Sequence, residues 1–423
     1  MRKYLIISLL ASYSIIFAGE SEDFKAVDNL YKERNFKTAL TESEKFLQKY
    51  PESKHQKSMR DKVAKIYFLE KNYKKAEEIF KRLYTIEEKQ SQKDEYASYL
   101  ARANALLNNS DSAMFYVREI KDKKIFQKTF FAVAQNFLAK ENNEAAQKAY
   151  KEIIDNKYEN YKESMMGLGI VYYNLKDYDK AIYWLSEFSK AVPNENKEMV
   201  SYLRASAIYR KGSTDEAIKY FEELANMTPA SEYSRKAALY LIEIYSNRKD
   251  EAKVRFYLEK LKGTKEYNTA MTMIGDLYVT KENYEKALDY YNQSNDKNNP
   301  KLIYGEAYSL YKKGKYEEAL KKFQSLKNSD YYNQSIYHIF AINYKLKNFD
   351  EIIRNREIIR KVVVSQVDTD NIIRIIANSA YQVGNYKLAK DYYGRLFAVS
   401  PDKENLFRVI LLDSQMLDME DLR

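Results

Sequence analysis

Residue types that could carry out chemistry are few in this chain of 423 amino acids. It has two histidines, His55 and His338, and no cysteine, so no nucleophilic triad and no zinc site assembles from them. Segment 167–169 (Gly-Leu-Gly) lacks the preceding strand and third glycine of a dinucleotide loop. Segment 368–371 offers oxygen ligands without the glycine and closing glutamate of a calcium loop. The sequence predicts no catalytic residue, no metal and no cofactor, and therefore a protein that is not an enzyme.

The charges also argue against a nucleic-acid partner. The formal net charge is +10, but acidic and basic residues are interleaved at helical spacing, as in Lys74-Lys75 before Glu77-Glu78. A nucleic-acid reader would be expected to concentrate Lys and Arg along one stripe. Most of these charges are predicted to form a solvated face.

The amino terminus has the pattern of a secretory signal peptide. Arg2 and Lys3 precede an apolar run over residues 4–17, and a cleavage point follows Ala18. The run is too short to span a bilayer comfortably, although a retained anchor is the alternative. We therefore predict a signal peptide over 1–18, a mature chain with no stable membrane span, and a periplasmic location, with secretion as the second choice. The lack of cysteine excludes disulfides and lipoprotein acylation.

A small residue recurs roughly every 35 residues along the rest of the chain, which is typical of a repeat array. The positions are Ala39, Ala76, Ala113, Ala146, Ala181, Ala217, Ala252, Ala287, Ala319, Ile352 and Ala389. Around each position an aromatic residue tends to lie three residues before, and bulky apolar residues lie four and seven after, which predicts a helix.

A first helix is predicted upstream of each of these second helices, because another small residue lies twelve positions earlier. These residues are Ala64, Ala134, Gly169, Ala205, Gly275, Ala307 and Ala377. Small side chains at both positions let paired helices approach closely. A short polar turn joins the helices, and Pro51, Pro193, Pro229 and Pro401 are predicted to close repeats, because proline cannot continue a helix.

This pattern resembles the tetratricopeptide repeat. The fifth repeat carries most of its positions: Leu168, Gly169, Tyr172, Tyr178, Ala181, Leu185 and Pro193. The resemblance implies an all-α fold, a right-handed α-solenoid (superhelix) of about eleven helix-turn-helix repeats over 19–401, capped by a helix at 402–423. Ser110, Ile352 and an apparently short turn in the seventh repeat depart from the pattern.

Three further segments carry expectations. Residues 86–95 are polar without apolar periodicity, so we expect a loop between repeats. Residues 294–300 contain turn-forming residues and should stop a helix. Residues 406–412 give the last helix an apolar face, which either caps the array or binds a partner.

The resemblance also implies a concave groove, lined by first helices, that holds an extended or helical peptide. Basic and amide side chains are expected beside groove tyrosines, although several tyrosines could instead pack against the next repeat. The predicted partner-binding residues are Tyr173, Tyr202, Tyr209, Arg210, Tyr304, Tyr308, Tyr311, Lys312, Tyr337, Tyr344, Lys345, Arg374, Asn378 and Tyr381. Only Arg374 and Asn378 have the spacing of the Lys and Asn clamp that some relatives use for carboxyl-terminal peptides.

Together these features predict a non-enzymatic exported scaffold that binds protein or peptide partners in the cell envelope. One alternative is an accessory protein in peptidoglycan or outer-membrane assembly. Another is a structural array that self-associates through its terminal repeats.

Overall fold

The structure is a computed structural model that describes residues 19–399, 401 and 403–421. Within these residues the chain forms 23 α-helices and one 3-10 helix, and no strand. The helices follow one another as eleven pairs and one last helix, so the prediction of an all-α array of helix pairs is confirmed. The predicted signal peptide, 1–18, lies outside the described residues.

The chain divides into two compact units, one up to Tyr220 and one from Phe221. The helices before the division are α1 Glu20–Lys32, α2 Phe36–Lys49, α3 Gln56–Leu69, α4 Tyr73–Ile86, α5 Gln90–Leu106, α6 Ser110–Glu119, α7 Lys123–Ala139, α8 Asn143–Asp155, α9 Tyr161–Asn174, α10 Tyr178–Ala191 and α11 Lys197–Arg210. The division falls within α12, Thr214–Ala225.

The helices after the division are α13 Glu232–Asn247, α14 Glu251–Leu261, α15 Lys265–Thr280, α16 Tyr284–Gln293, α17 Pro300–Lys312, α18 Tyr316–Ser325, α19 Tyr332–Lys345, α20 Phe349–Arg354, the 3-10 helix Arg356–Arg360, α21 Gln366–Gln382, α22 Tyr386–Val399 and α23 Lys403–Asp421. The division of the array from a capping segment at residue 402 stays a prediction.

Small side chains sit where the two helices of a pair meet. Ala76, Ala181 and Ala319 are completely buried, as are the other alanines of the series except Ala252. At Gly169, an added Cβ would lie 2.7 Å from Cγ of Leu185, the bulky residue four positions after Ala181. The first helix therefore has room only for a very small residue at this crossing.

The turns inside the pairs share one backbone geometry. A residue in the left-handed region precedes the residue that caps the second helix, as at Lys71 (φ 63°) and Lys176 (φ 62°), and glycine takes this position at Gly314. In several pairs the capping side chain then accepts a hydrogen bond from the third helical backbone N–H; Asp177 Oδ1, for example, lies 3.3 Å from Lys180 N. This fixes the second helix relative to the end of the first.

Several predicted boundaries are confirmed. Pro51, Pro193, Pro229 and Pro401 all lie between helices. Residues 294–299 of the predicted segment 294–300 separate α16 from α17, which begins at Pro300 and is capped by the Asn299 side chain.

The predicted register of the seventh repeat is wrong by two residues. Ala252 is exposed, and Asp250 caps α14 by accepting a hydrogen bond from Lys253 N at 3.1 Å. Since the buried position lies four residues after the cap in the other repeats, Val254 occupies it here, at 6% exposure. The turn therefore has the ordinary length, and its residue in the left-handed region is Lys249.

The prediction of a loop over 86–95 is also wrong, because only 87–89 lies outside helices. The polar residues that follow form the first turns of α5, and Asp94 among them is buried. Its carboxylate accepts hydrogen bonds from the backbone N–H groups of Lys121 and Asp122, at 3.1 and 2.8 Å. A polar run without apolar periodicity thus forms helix here, and its buried Asp94 side chain binds the turn before α7.

Tyr291 shows how the close packing extends from one repeat to the next. Its ring is fully buried. An added Cβ at Gly275 would lie 2.7 Å from its Cδ1, and one at Gly305, on the next first helix, 2.5 Å from its Cζ. Its hydroxyl donates to Asp276 Oδ1 at 2.6 Å. Both glycines are therefore required for the ring to fit.

We expect Gly275→Ala to destabilise the protein by about 1–3 kcal/mol, since the added methyl overlaps a ring that has no room to move. Gly394→Ala is the matched control: Gly394 lies in α22 with open space beside its Cα, so alanine should raise stability by up to about 1 kcal/mol. Urea unfolding measures both. Equal effects of the two substitutions would contradict the packing described for Tyr291.

Candidate partner-binding surface

The predicted partner-binding residues lie on first helices and divide between the two units. Tyr173, Tyr202, Tyr209 and Arg210 belong to the unit before residue 221, and the others to the unit after it. Every tyrosine of the set is half-buried, with part of its ring in contact with the protein and part open to solvent.

The tyrosines of the first unit are engaged within the protein. The Tyr173 hydroxyl lies 2.7 Å from Ser206 Oγ on the next first helix, and its ring packs edge-on against Tyr178 with centroids 5.8 Å apart. Tyr202, Tyr209 and Arg210 have interaction partners as well. For Tyr173, the structure thus shows the packing role that the sequence left open as an alternative.

In the second unit, predicted residues gather around His338. Its ring stacks on Phe323, with centroids 5.0 Å apart and planes 13° apart. The rings of Tyr304, Tyr308, Tyr311 and Tyr337 lie 5.3–6.2 Å from it. We call these five aromatic residues and His338 the His338 cluster.

Burial keeps His338 neutral. Desolvation lowers the pKa of its imidazole to about 4, with the charge of Lys312 acting in the same direction and that of Asp368 opposing it. The Nδ1 atom is buried without a hydrogen-bond partner, and Nε2 lies 3.5 Å from the Tyr304 hydroxyl. Protonation would therefore place a poorly solvated charge in the middle of the cluster.

This arrangement predicts loss of stability in acid. Between about pH 6.5 and 4 the unfolded chain binds a proton at His338 that the folded chain does not, so the free energy of unfolding falls as pH falls through this window. His338→Phe keeps an aromatic ring and removes this titration. We expect its advantage over the wild type, measured by urea unfolding, to grow from pH 7 to pH 4.5. A constant difference across this range would contradict the assignment.

Two other predicted residues, Arg374 and Asn378, lie close to the C-terminal helix, α23. The Tyr393 hydroxyl donates to Asn378 Oδ1 and accepts from Arg408 Nη1 of α23 at 3.0 Å. Arg374 Nη1 lies 3.5 Å from Asn405 Oδ1, also on α23. Arg374 and Asn378, which alone had clamp-like spacing, are thus part of the contact between α21, α22 and α23.

The tyrosines that remain available to a partner are in the second unit. The hydroxyls of Tyr311, Tyr337, Tyr344 and Tyr381 form no hydrogen bond with any described residue and are not sealed from solvent. Their rings are held in place by neighbours; those of Tyr344 and Phe349, for example, have centroids 5.7 Å apart. Lys312 and Lys345 lie exposed on the same first helices, α17 and α19. We call the four tyrosines and two lysines the tyrosine face.

The sequence prediction missed a charged first-helix surface in the first unit. Lys65 Nζ bridges Asp61 at 2.9 Å and Glu95 at 2.8 Å. Burial lowers the pKa of Lys65, but the hydrogen bonds to Glu95 and Asp61 outweigh it, and the net pKa is raised. Burial raises the pKa of Asp61 against the opposing effect of Lys65. Asp61 and Lys65 lie 15 and 11 residues before Ala76, the same distances at which two predicted groove tyrosines precede Ala319.

Arg102 lies on the next first helix, α5, 11 residues before Ala113, as Lys65 lies before Ala76. Its guanidinium carbon is 4.8 Å from the centroid of Phe68 and 5.7 Å from that of Tyr99. Its Nε is buried without a partner. The signal was present in the sequence, because charged residues stand 11 and 15 positions before the small residue of the second helix, where later repeats have tyrosines.

Metal-binding clusters and membrane-spanning helices are both absent from the part of the chain that the structure describes. No group of three or more His, Cys, Asp or Glu side chains there is placed to hold a metal ion. No described helix combines the length and the apolar character needed to cross a membrane.

Comparison with known proteins supports the repeat pattern. Two models of the tetratricopeptide repeat match this chain. One covers residues 131–196 and the other residues 171–330, so the matched part includes repeats from both units. No curated protein sequence matches the chain.

Among solved structures, the chain is similar to yeast Tom70, with 12% identity, 95% of this chain and 96% of that chain covered, and a TM-score of 0.36. It is similar to the structure of Naa15/Naa10 bound to HypK-THB, with 13% identity, coverage of 95% and 79%, and a TM-score of 0.32. It is also similar to the APC/C hetero-tetramer Cut9-Hcn1, with 12% identity, coverage of 96% and 98%, and a TM-score of 0.32. At these TM-scores the likeness carries no argument about this chain.

Proposed function

We propose that this protein is a non-enzymatic exported scaffold, which binds a protein or peptide partner in the cell envelope through the tyrosine face of its second unit. The match of residues 131–330 to tetratricopeptide repeats supports a role in protein–protein interaction. The signal-peptide pattern at 1–18 supports export.

The observation that carries the proposal is the state of the hydroxyls of Tyr311, Tyr337, Tyr344 and Tyr381. Each ring is half-buried and so already restricted, while its hydroxyl has no partner among the described residues. A restricted ring that presents an unused hydroxyl supplies contact area and a hydrogen bond at little further cost in conformational entropy. Exposed Lys312 and Lys345 beside them favour a partner segment that carries acidic groups.

Photo-crosslinking in living cells tests the proposal. A benzophenone amino acid replaces Tyr311 or Tyr344 in the full-length chain, and we expect each to capture the same protein in the envelope fraction. Tyr183 and Phe256, which are 55% and 50% exposed on second helices, are the matched aromatic controls. Capture that is no stronger at Tyr311 and Tyr344 than at these controls would remove the tyrosine face as the binding surface.

One observation favours self-association as a second candidate function. Leu412 of α23 is buried, but Leu406, Phe407 and Ile410 of the same helix are 42–63% exposed, so the apolar face predicted from the sequence is only partly covered. An exposed apolar face at the end of an array could be covered by a second copy.

Light scattering on the mature chain tests this candidate. We expect the mass to rise above that of the monomer with concentration, and Phe407→Glu, which places a charge on the exposed face, to return it to the monomer value. Asp413, on the same helix, pairs with Lys390, so Asp413→Asn is a control that changes charge elsewhere. A monomeric wild type at all concentrations would exclude association through this helix.

A further inference from the structure

A cavity of about 650 Å³ lies among α13, α14, α15 and α16, in the second unit and away from the tyrosine face. Its floor is aliphatic: Val254, Leu258, Met271 and Ile274 line it and are at most 8% exposed. One wall is the stacked pair Tyr278 and Tyr290, whose ring centroids are 5.5 Å apart. This volume is in the range of small-molecule sites, roughly 300–1,000 Å³.

The seventh repeat, which borders the cavity, has large residues where its two helices cross. Where most other pairs place small residues at their crossing, this pair has Ile242 in α13 and Val254 in α14, both buried. Two large side chains hold the helices further apart than two small ones. The tenth repeat, with Phe340 and Ile352 at the same positions, has a smaller cavity of about 270 Å³ lined by both.

Of the polar groups that line the cavity, one has no hydrogen-bond partner and another has no ion-pair partner among the described residues. The hydroxyl of Ser246, a residue only 9% exposed that lines the cavity, is buried without a hydrogen-bond partner. Lys281 Nζ, also in the lining, lies 3.4 Å from the Ser246 carbonyl oxygen and has no ion pair among the described residues. A buried hydroxyl with no partner beside an unpaired ammonium group is a place where an anion would gain both a hydrogen bond and an ion pair.

The other charged residues of the lining leave the end of the cavity near Ser246 and Lys281 positively charged. Glu251 pairs with Arg255 at 3.6 Å and with Lys286 at 3.7 Å, and Glu259 pairs with Lys262 at 3.4 Å. Lys249 lies in the turn after α13, close in sequence to Ser246, and has no ion pair among the described residues. Asp289, next to Tyr290 on α16, is the one lining carboxylate left without an ion pair there.

We propose that this cavity binds a single-chain amphiphile with a carboxylate head. The head accepts hydrogen bonds from the Ser246 hydroxyl and the Lys281 ammonium group, and the alkyl chain covers the floor formed by Val254, Leu258, Met271 and Ile274. A flexible chain suits this floor because it is aliphatic and includes the adaptable side chain of Met271. The inference does not depend on the proposed function, since no residue of the tyrosine face lines the cavity.

Methyl NMR on the full mature chain tests the proposal with decanoate as the probe. The methionine methyl groups carry ¹³C, and Met271→Leu assigns the Met271 signal. We expect decanoate, below the concentration at which it forms micelles, to shift this signal with saturation. We expect 1-decanol, which has the same chain and no charge, to bind at least tenfold more weakly.

Two variants test the contacts to the carboxylate head of the ligand separately from the contacts to its alkyl chain. We expect Ser246→Ala and Lys281→Gln each to weaken decanoate binding at least fivefold and to leave decanol unchanged. Lys321→Gln is the matched control, because Lys321 is exposed in the same unit, lies outside the lining, has no ion pair among the described residues and should leave both ligands unaffected. Lys281 is exposed, so its variant is informative even if Ser246→Ala perturbs folding.

Three results would overturn the proposal. They are a Met271 signal that does not saturate with decanoate, equal binding of decanol, and Lys281→Gln behaving like Lys321→Gln. Saturable decanoate binding that only Lys281→Gln and Ser246→Ala weaken would support it.

Discussion

The contact between two small residues, one on each helix of a pair, is the constraint on which the rest of the structure depends. Alanine or glycine at both positions brings the helices close enough for the bulky residue four positions later to reach the first helix, as Leu185 does at Gly169. The turn geometry then sets the register, because the capping residue always lies four positions before the buried small residue. Where this contact is replaced by large side chains, as at Ile242 and Val254, a cavity lies beside the pair.

Much of the fold could be predicted because the small residues recur at a nearly constant interval, and packing leaves them few alternatives. The mistake at Ala252 shows the limit of that argument. Ala252 matched the residue type, but Asp250 matched the cap, and the helix begins where its backbone N–H groups find an acceptor. The cap was visible in the sequence as the acidic residue four positions before Val254, so local hydrogen bonding was the better guide.

The candidate binding surface was less predictable. The helical period predicts which face of a helix a side chain lies on, but it does not predict which residues that side chain contacts. Tyr173 and Tyr311 occupy equivalent positions, yet the hydroxyl of Tyr173 is bonded to Ser206 and that of Tyr311 is not bonded to any described residue. What differs is the residue opposite on the next first helix. In the same way, Arg374 and Asn378 looked available in the sequence, but Asn405 of α23 lies within hydrogen-bond distance of Arg374, and the Tyr393 hydroxyl of α22 donates to Asn378.

The ring of Tyr291 has a consequence for how this array could change during evolution. It needs one glycine in its own repeat and another in the repeat that follows. Duplicating or deleting a single repeat at this point would separate the aromatic residue from one of the two glycines, and the new neighbour would carry a methyl group or more in the same space. Repeats eight and nine are therefore expected to be inherited together as a block, while pairs joined only by alanines could be copied singly.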